Sequence, residues 1–130
     1  MARSSQDIDG WAKAYIQAQL DPTLLDGGHP LWWAVERFME IIGGEELSGA
    51  EDSWATILRI VELDPPDEVT EVLAAGPLEH LIEYYGPSFI DRIESEARRN
   101  ADFRDLLGGV WKSGSDEIWA RIEACRDRVW

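Results

Sequence analysis

The chain has 130 residues, of which 45% are hydrophobic, and this apolar content is sufficient to close one core without disulfides or metals. Its formal net charge of −14 repels nucleic acid and anionic membrane surfaces, so direct binding to either is not expected. Cys125 is the single cysteine, the first ten residues lack a signal-peptide pattern, and residues 31–42 are too short an apolar run to span a bilayer, so we expect a cytoplasmic protein.

The negative charge is concentrated in the first two-thirds of the chain. Residues 1–86 contain 17 Asp or Glu and 4 Lys or Arg, a net charge of −13. Residues 87–130 contain 9 acidic and 8 basic side chains, a net charge of −1. Solubility alone explains a high charge, whereas its uneven placement favours an acidic binding surface.

Helical spacing of apolar residues predicts a first helix near the start of the chain. Its stripe comprises Ile8, Trp11, Ala12, Tyr15 and Ile16. The helix is expected to end at Asp21, because the residue before Pro22 avoids α-helical geometry. A Gly-rich joint at 26–29 completes an N-terminal part, residues 1–29, and the helical body is expected over 30–130.

A second helix is predicted after Pro30, which is tolerated in a first helical turn because its missing amide would be unpaired there. Residues 31–42 are apolar around most of the circumference, as is typical of a central helix packed on several sides. The pair Gly43-Gly44 is expected to end this helix.

The next two helices are predicted from their capping signals. Ser48 with Glu51 three residues later fits a capping box at the start of a third helix. Asp64 is expected to cap a fourth helix, which has prolines in its first turn and Val69, Val72 and Leu73 on its inner face.

The remaining helices are predicted between glycine and proline signals. Gly76-Pro77 and Gly86-Pro87 each read as the end of one helix joined to the start of the next. Gly108-Gly109 is expected to end a short helix that starts at Asp102, and Ser115 is expected to cap the last helix.

The elements together predict an all-α fold. We expect a single domain, residues 1–130, that forms an irregular bundle or short stack of about seven to eight short helices packed as helix hairpins. No stretch has the sustained alternation of a β-strand.

Five sequence blocks carry a resemblance to a known family. They are GPLE at 76–79, FIDRIE at 89–94, EAR at 96–98, FRDLLGGVW at 103–111 and WAR at 119–121. In this order, over roughly residues 31–122, they resemble a family of small bacterial helical domains of unknown function. The resemblance implies a helical fold and a bacterial or phage origin, and it implies no site residues.

Signals for catalysis or metal binding are weak. His29 lies in the Gly-rich joint and is expected to be a loop or capping residue. His80 has Glu83 within one helical turn, but zinc sites need three or four converging ligands, so neither a metal nor another cofactor is expected. Cys125 is expected to be an inert packed cysteine, although Arg121 one turn earlier would favour its thiolate. We therefore do not expect an enzyme; a small-molecule or metal-binding enzyme that uses His80 remains an alternative.

Seven tryptophans are present, and most fall on apolar stripes. Trp32 and Trp33 are adjacent and point about 100° apart on a helix, so one of them can reach the surface. Trp130 lies beyond the last apolar stripe. Exposed tryptophans often anchor protein interfaces, and Trp33 and Trp130 are the expected anchors.

The composition predicts a non-catalytic acidic protein that binds a basic surface on a partner protein, such as a toxin, a nuclease or a subunit of a defence complex. It would be an inhibitor or neutraliser, either an immunity protein or a phage-encoded antagonist of a nucleic-acid enzyme or defence complex. The expected acidic surface comprises Glu45, Glu46, Glu51, Asp52, Glu62, Asp64, Asp67, Glu68 and Glu71. A helix about 20 Å long separates the first four from the rest, so one continuous patch does not follow. The alternative is a helical scaffold or self-associating interaction module whose acidity only confers solubility.

Overall fold

The computed structural model describes residues 3–45 and 47–130, and this part of the chain is helical without a β-strand. The helices are α1 (Ser5–Leu20), α2 (Trp32–Met39), α3 (Leu47–Glu62), α4 (Asp67–Leu73), α5 (Glu79–Arg99), α6 (Ala101–Leu106) and α7 (Asp116–Cys125). Single turns of 3₁₀-helix lie at Leu24–Asp26 and Leu107–Gly109, and a π-helical segment at Ala74–Leu78. The predicted all-α fold is confirmed.

Helix α1 ends where the sequence predicts, at Asp21, and it begins at Ser5. The Ser4 side chain caps its start by accepting a hydrogen bond from the Asp7 amide at 3.1 Å, and Asp21 ends it. The helix packs on α2 and α3. Trp11 Nε1 donates to the Ala34 carbonyl at 2.8 Å, and its ring lies 4.5 Å from that of Phe38. These contacts join α1 to α2 and satisfy the buried indole.

Helix α2 is shorter and more peripheral than its apolar sequence predicts. Within the helix Ala34 and Phe38 are buried, whereas Trp33 and Met39 are exposed. The prediction of a central helix is wrong here, because an apolar circumference shows what a helix is able to bury and not what packs against it. The more deeply buried helix is α3, which contacts α1, α5 and α6.

Two predicted N-caps are also wrong. Ser48 lies inside α3, which begins at Leu47. Asp64 does not cap α4, because the residue preceding that helix is Pro66. Asp64 instead has a left-handed φ of 51° directly after α3, where its amide donates to the Val61 carbonyl at 3.1 Å. A short polar residue tolerates this geometry better than most.

The two Gly-Pro pairs do not separate helices by turns. The chain passes from α4 through the π-helical segment, which contains Pro77, directly into α5. A wider π-turn accommodates a proline that lacks the amide for the regular ladder. The second pair lies inside α5, where Tyr85 has φ −134° and ψ 20° and produces a kink just before Gly86 and Pro87. The second pair therefore joins two helical segments directly across a kink, as the sequence predicts, whereas the first lies within a continuous helical run.

A second aromatic cluster joins the remaining helices. The Trp54 ring lies 5.9 Å from Phe89 and 5.4 Å from Phe103, which links α3, α5 and α6. Helix α7 packs on α5 and is capped as predicted, since the Ser115 side chain accepts from the Ile118 amide at 3.2 Å. One connected core contains residues from every α-helix named above. Of the helices in the described ranges, none combines the length and apolarity needed to cross a membrane.

Candidate functional site

Three of the predicted acidic binding residues are engaged within the protein. Glu51 forms a bidentate ion pair with Arg92 at 2.7 and 2.8 Å, joining α3 to α5, and this hydrogen bonding lowers the pKa of Glu51. Asp52 is only 8% exposed and accepts a hydrogen bond from the Arg3 amide at 3.1 Å. Glu62 pairs with Arg59 at 2.9 Å. The structure gives Glu51 and Asp52 internal roles, so their prediction as partner-binding residues is not supported by the geometry.

Five other predicted residues are exposed and have no ion pair within residues 3–45 and 47–130. They are Glu45, Asp64, Asp67, Glu68 and Glu71. The prediction for Glu46 lies outside the described residues. Asp67, Glu68 and Glu71 all belong to α4, and the first two lie in its first turn, where the positive end of the helix dipole favours carboxylates. Three of these five exposed and unpaired carboxylates thus lie on α4.

Residues Arg126–Trp130, here called the strap, run beside α4. The strap leaves α7 in extended geometry at Arg126, with φ −99° and ψ 157°. The Trp130 amide donates to the Gly108 carbonyl at 3.0 Å. Asp127 accepts from Arg104 Nε at 2.7 Å, and Arg128 Nη2 lies 3.3 Å from Asp105 Oδ1. These bonds hold the strap against α6 and the turn that follows it.

The glycine pair after α6 provides the space for the strap. A Cβ atom at Gly108 would overlap the carbonyl of Arg128, and one at Gly109 would overlap the indole of Trp130. The same added atom at Gly109 would lie 3.0 Å from Ala74 Cβ. The pair therefore accommodates both the strap backbone and its tryptophan, a role that its prediction as helix punctuation missed. The position of Trp130 beyond the last apolar stripe was the sequence signal that could have indicated this role.

Two cavities lie on either side of Trp130. The smaller, about 220 Å³, is lined by Asp67, Thr70, Glu71, Asp105, Arg128 and Trp130. Two predicted carboxylates and a predicted tryptophan therefore meet at one site. The larger, about 500 Å³, shares Glu71 and Trp130 and also contains Trp111, which is 77% exposed. Lys112 and Arg126 also line the larger cavity, so only the smaller one is acidic. The smaller cavity can hold a cationic side chain through its carboxylates and the Trp130 ring.

Trp33 lies at a different place. It is 40% exposed, and the Arg37 guanidinium lies 4.5 Å from its ring centre and 5.1 Å from that of Trp11. Burial is the largest influence on Arg37 and lowers its pKa. Trp33 lines neither cavity beside Trp130. The two tryptophans predicted as anchors are therefore not parts of one site.

The groups considered for chemistry have other contacts. His29 Nε2 lies 2.9 Å from Asp21, and its Nδ1 accepts from the Leu31 amide at 3.1 Å, as expected for a loop residue. Glu83 accepts from the Gly114 amide at 2.7 Å. Burial raises the pKa of Cys125, which opposes thiolate formation. Within the described ranges no three His, Cys, Asp or Glu side chains converge as metal ligands would.

Comparison with known proteins gives one family match. The model of a family of unknown function, DUF6869, matches residues 23–130. This span includes all five blocks that carry the resemblance, the glycine pair and the strap. Neither curated proteins nor solved structures gave a match.

Proposed function

The chain belongs to the family of unknown function DUF6869, and we propose that it is a non-catalytic acidic protein. It would cover a basic surface of a partner protein. The observation that carries this proposal is the face of α4. Asp67, Glu68 and Glu71 are exposed there without ion pairs inside the described ranges, and Asp67 and Glu71 line a cavity with Trp130. Most cations of the chain, by contrast, are paired with carboxylates.

In such a complex the charge affects the association rate and the aromatic surface affects the dissociation rate. The net charge of −14 accelerates encounter with a positive surface. Desolvated aromatic anchors then slow dissociation. We favour an inhibitor or neutraliser, an immunity protein or a phage-encoded antagonist, because the basic cleft of a nucleic-acid enzyme is complementary to this surface. The setting that we propose is the cytoplasm, where Cys125 stays reduced.

The test compares two substitutions with the same change in charge. Glu68 and Glu117 are both exposed and both lie in the first turn of a helix, α4 and α7 respectively. Glu68→Lys and Glu117→Lys therefore share the cost of a cation at a helix N-terminus. The probe is a fluorescein-labelled hexa-arginine peptide, and binding is followed by fluorescence anisotropy at low and high ionic strength.

We expect Glu68→Lys to weaken probe binding about threefold to tenfold more than Glu117→Lys does. Binding should also weaken as salt increases. Equal effects of the two substitutions would mean that the probe responds only to total charge, and the assignment to α4 would be rejected. Capture from a lysate of the native host, with the wild type and Glu68→Lys as baits, then identifies the partner.

A second candidate function is a self-associating helical module. It is favoured by exposed apolar side chains along α2 and just after it, where Trp33, Met39 and Ile42 are 40%, 43% and 46% exposed. Apolar self-association persists or strengthens in salt. Sedimentation equilibrium of the wild type and Trp33→Ala at high ionic strength separates this candidate from the charge-driven one.

A further inference from the structure

Gly108, Gly109 and Ala74 form the site that holds Trp130, here called the seat. Its shape suits an extended segment. Side chains are absent at Gly108 and Gly109, so the strap backbone and an indole approach the body of the protein more closely than any other residue type would allow. A backbone hydrogen bond from Trp130 to Gly108 sets the register of the segment. Such a bond is available to any extended chain and does not depend on its side chains.

The carboxylates around the seat exceed the cations. Arg128 contacts Asp105 at 3.3 Å, while Asp67 and Glu71 line the same cavity and have no ion pair within the described ranges. The cavity therefore holds three carboxylates and one guanidinium. A better placed arginine would gain more from this site than Arg128 does.

The strap is weakly held beyond Arg126, whose own side chain is only 10% exposed and packs on the Trp119 ring. The side chains of Asp127 and Arg128 are 72% and 73% exposed, and Trp130 is 45% exposed. Ion pairs at this exposure stabilise little, because water and salt screen them. Segments with few buried contacts open at a small free-energy cost, so the strap can leave its seat without unfolding the helices.

We propose that this seat, formed by Gly108, Gly109 and Ala74 beside the cavity lined by Asp67, Glu71 and Asp105, binds an extended segment of the partner that carries an arginine two residues before a tryptophan. In the structure, Arg128 and Trp130 of the protein's own strap occupy this seat, and they present the same guanidinium and indole groups. The inference rests on the proposed function and names the part of the partner that the α4 surface receives. Occupation in cis reduces the apparent affinity for the partner by the fraction of molecules whose seat is open.

The experiment uses the full chain and a peptide with the sequence of residues 126–130, blocked at both ends and labelled with fluorescein. Binding is measured by anisotropy for the wild type, for Trp130→Ala, which empties the ring position, and for Trp130→Ala with Gly109→Ala, which fills it. A control peptide has glutamate at the position of Arg128. Circular dichroism verifies that each variant keeps its helices.

We expect Trp130→Ala to bind the peptide at least about tenfold more tightly than the wild type, because without the indole the strap is held less firmly and its backbone leaves the seat in a larger fraction of molecules. The double variant and the control peptide should lose this binding. Equal binding to the single and double variants would place the peptide elsewhere, and no binding to Trp130→Ala would remove the seat; either result overturns the inference. Self-association of the wild type that Gly109→Ala abolishes would make a second copy the occupant and also overturn it.

The comparison of Glu68→Lys with Glu117→Lys by hexa-arginine binding does not depend on the space that the Trp130 indole occupies. If the pentapeptide experiment fails while that comparison succeeds, the α4 surface remains and only the segment is wrong. If the pentapeptide binds but Glu68→Lys matches Glu117→Lys, the seat remains and the charge-based function is wrong.

Discussion

The indole of Trp130 occupies the space that a side chain on Gly109 would fill, and the two residues are 21 positions apart in the chain. Gly109→Ala should therefore lower the free energy of unfolding by about 1–3 kcal/mol, because the added methyl group forces the ring and strap to move. Urea denaturation measures the loss. Limited trypsin digestion, read by mass spectrometry, should also show faster cleavage after Arg128.

Gly10→Ala is the matched control, because Gly10 lies inside α1 with no atom near the position of an added Cβ. This substitution should raise the free energy of unfolding by about 0.5–1 kcal/mol through helix propensity alone. If Gly109→Ala is as well tolerated as Gly10→Ala, the contact with Trp130 does not constrain residue 109.

The two serines predicted as caps should behave differently on substitution. Ser115 accepts a hydrogen bond from the Ile118 amide, so Ser115→Ala should cost about 1 kcal/mol in the free energy of unfolding. Ser48 lies inside α3, where alanine is a better helix former, so Ser48→Ala should be neutral or slightly stabilising. If Ser48→Ala instead lowers the free energy of unfolding more than Ser115→Ala does in urea denaturation, Ser48 caps α3 and the assignment of Ser48 to the helix interior is wrong.

The hydrogen bond from His29 Nε2 to Asp21 predicts an acid-dependent loss of stability. Hydrogen bonds from His29 and then from Thr23 lower the pKa of Asp21 to about 2 from its usual 3.8. A carboxylate whose folded pKa is lowered stabilises the fold above its unfolded pKa, and this contribution disappears as the pH falls through the folded pKa. The window is therefore between about pH 4 and pH 2.

Asp21→Asn tests this directly, because asparagine can keep the bonds from Thr23 but does not titrate. The wild type should be the more stable protein above this window, and the difference should shrink across it in urea denaturation at stepped pH values. A difference that stays constant with pH would assign the role of Asp21 to the turn alone.

The pair of Glu51 with Arg92 predicts a small structural effect and no effect on binding. Both side chains are about two-fifths exposed, at 41% and 43%, so Glu51→Gln should cost only about 0.2–1 kcal/mol. Its hexa-arginine affinity should match that of Glu117→Gln, at the exposed α7 position that serves as the control for α4. A larger loss of affinity for Glu51→Gln would return Glu51 to the binding surface.

Much of the candidate site could be predicted one residue at a time but not as an arrangement. The acidic character of 64–71 and the exposure of Trp130 follow from composition and from the end of the apolar pattern. That Asp67, Glu71 and Trp130 share a cavity does not follow, because the strap reaches α4 through contacts more than 50 residues apart in sequence. The engagement of Glu51 by Arg92, 41 residues later, is hidden for the same reason.

The amino-acid sequence by itself determined the helical class, the inward faces of the helices and the cap at Ser115, because each depends on spacings within one or two turns. Only the tertiary structure decided that Gly76-Pro77 lies within a continuous helical run, that α2 lies at the periphery and that Gly108-Gly109 receives the strap. These features depend on which distant surfaces meet, and local periodicity carries no information about that choice.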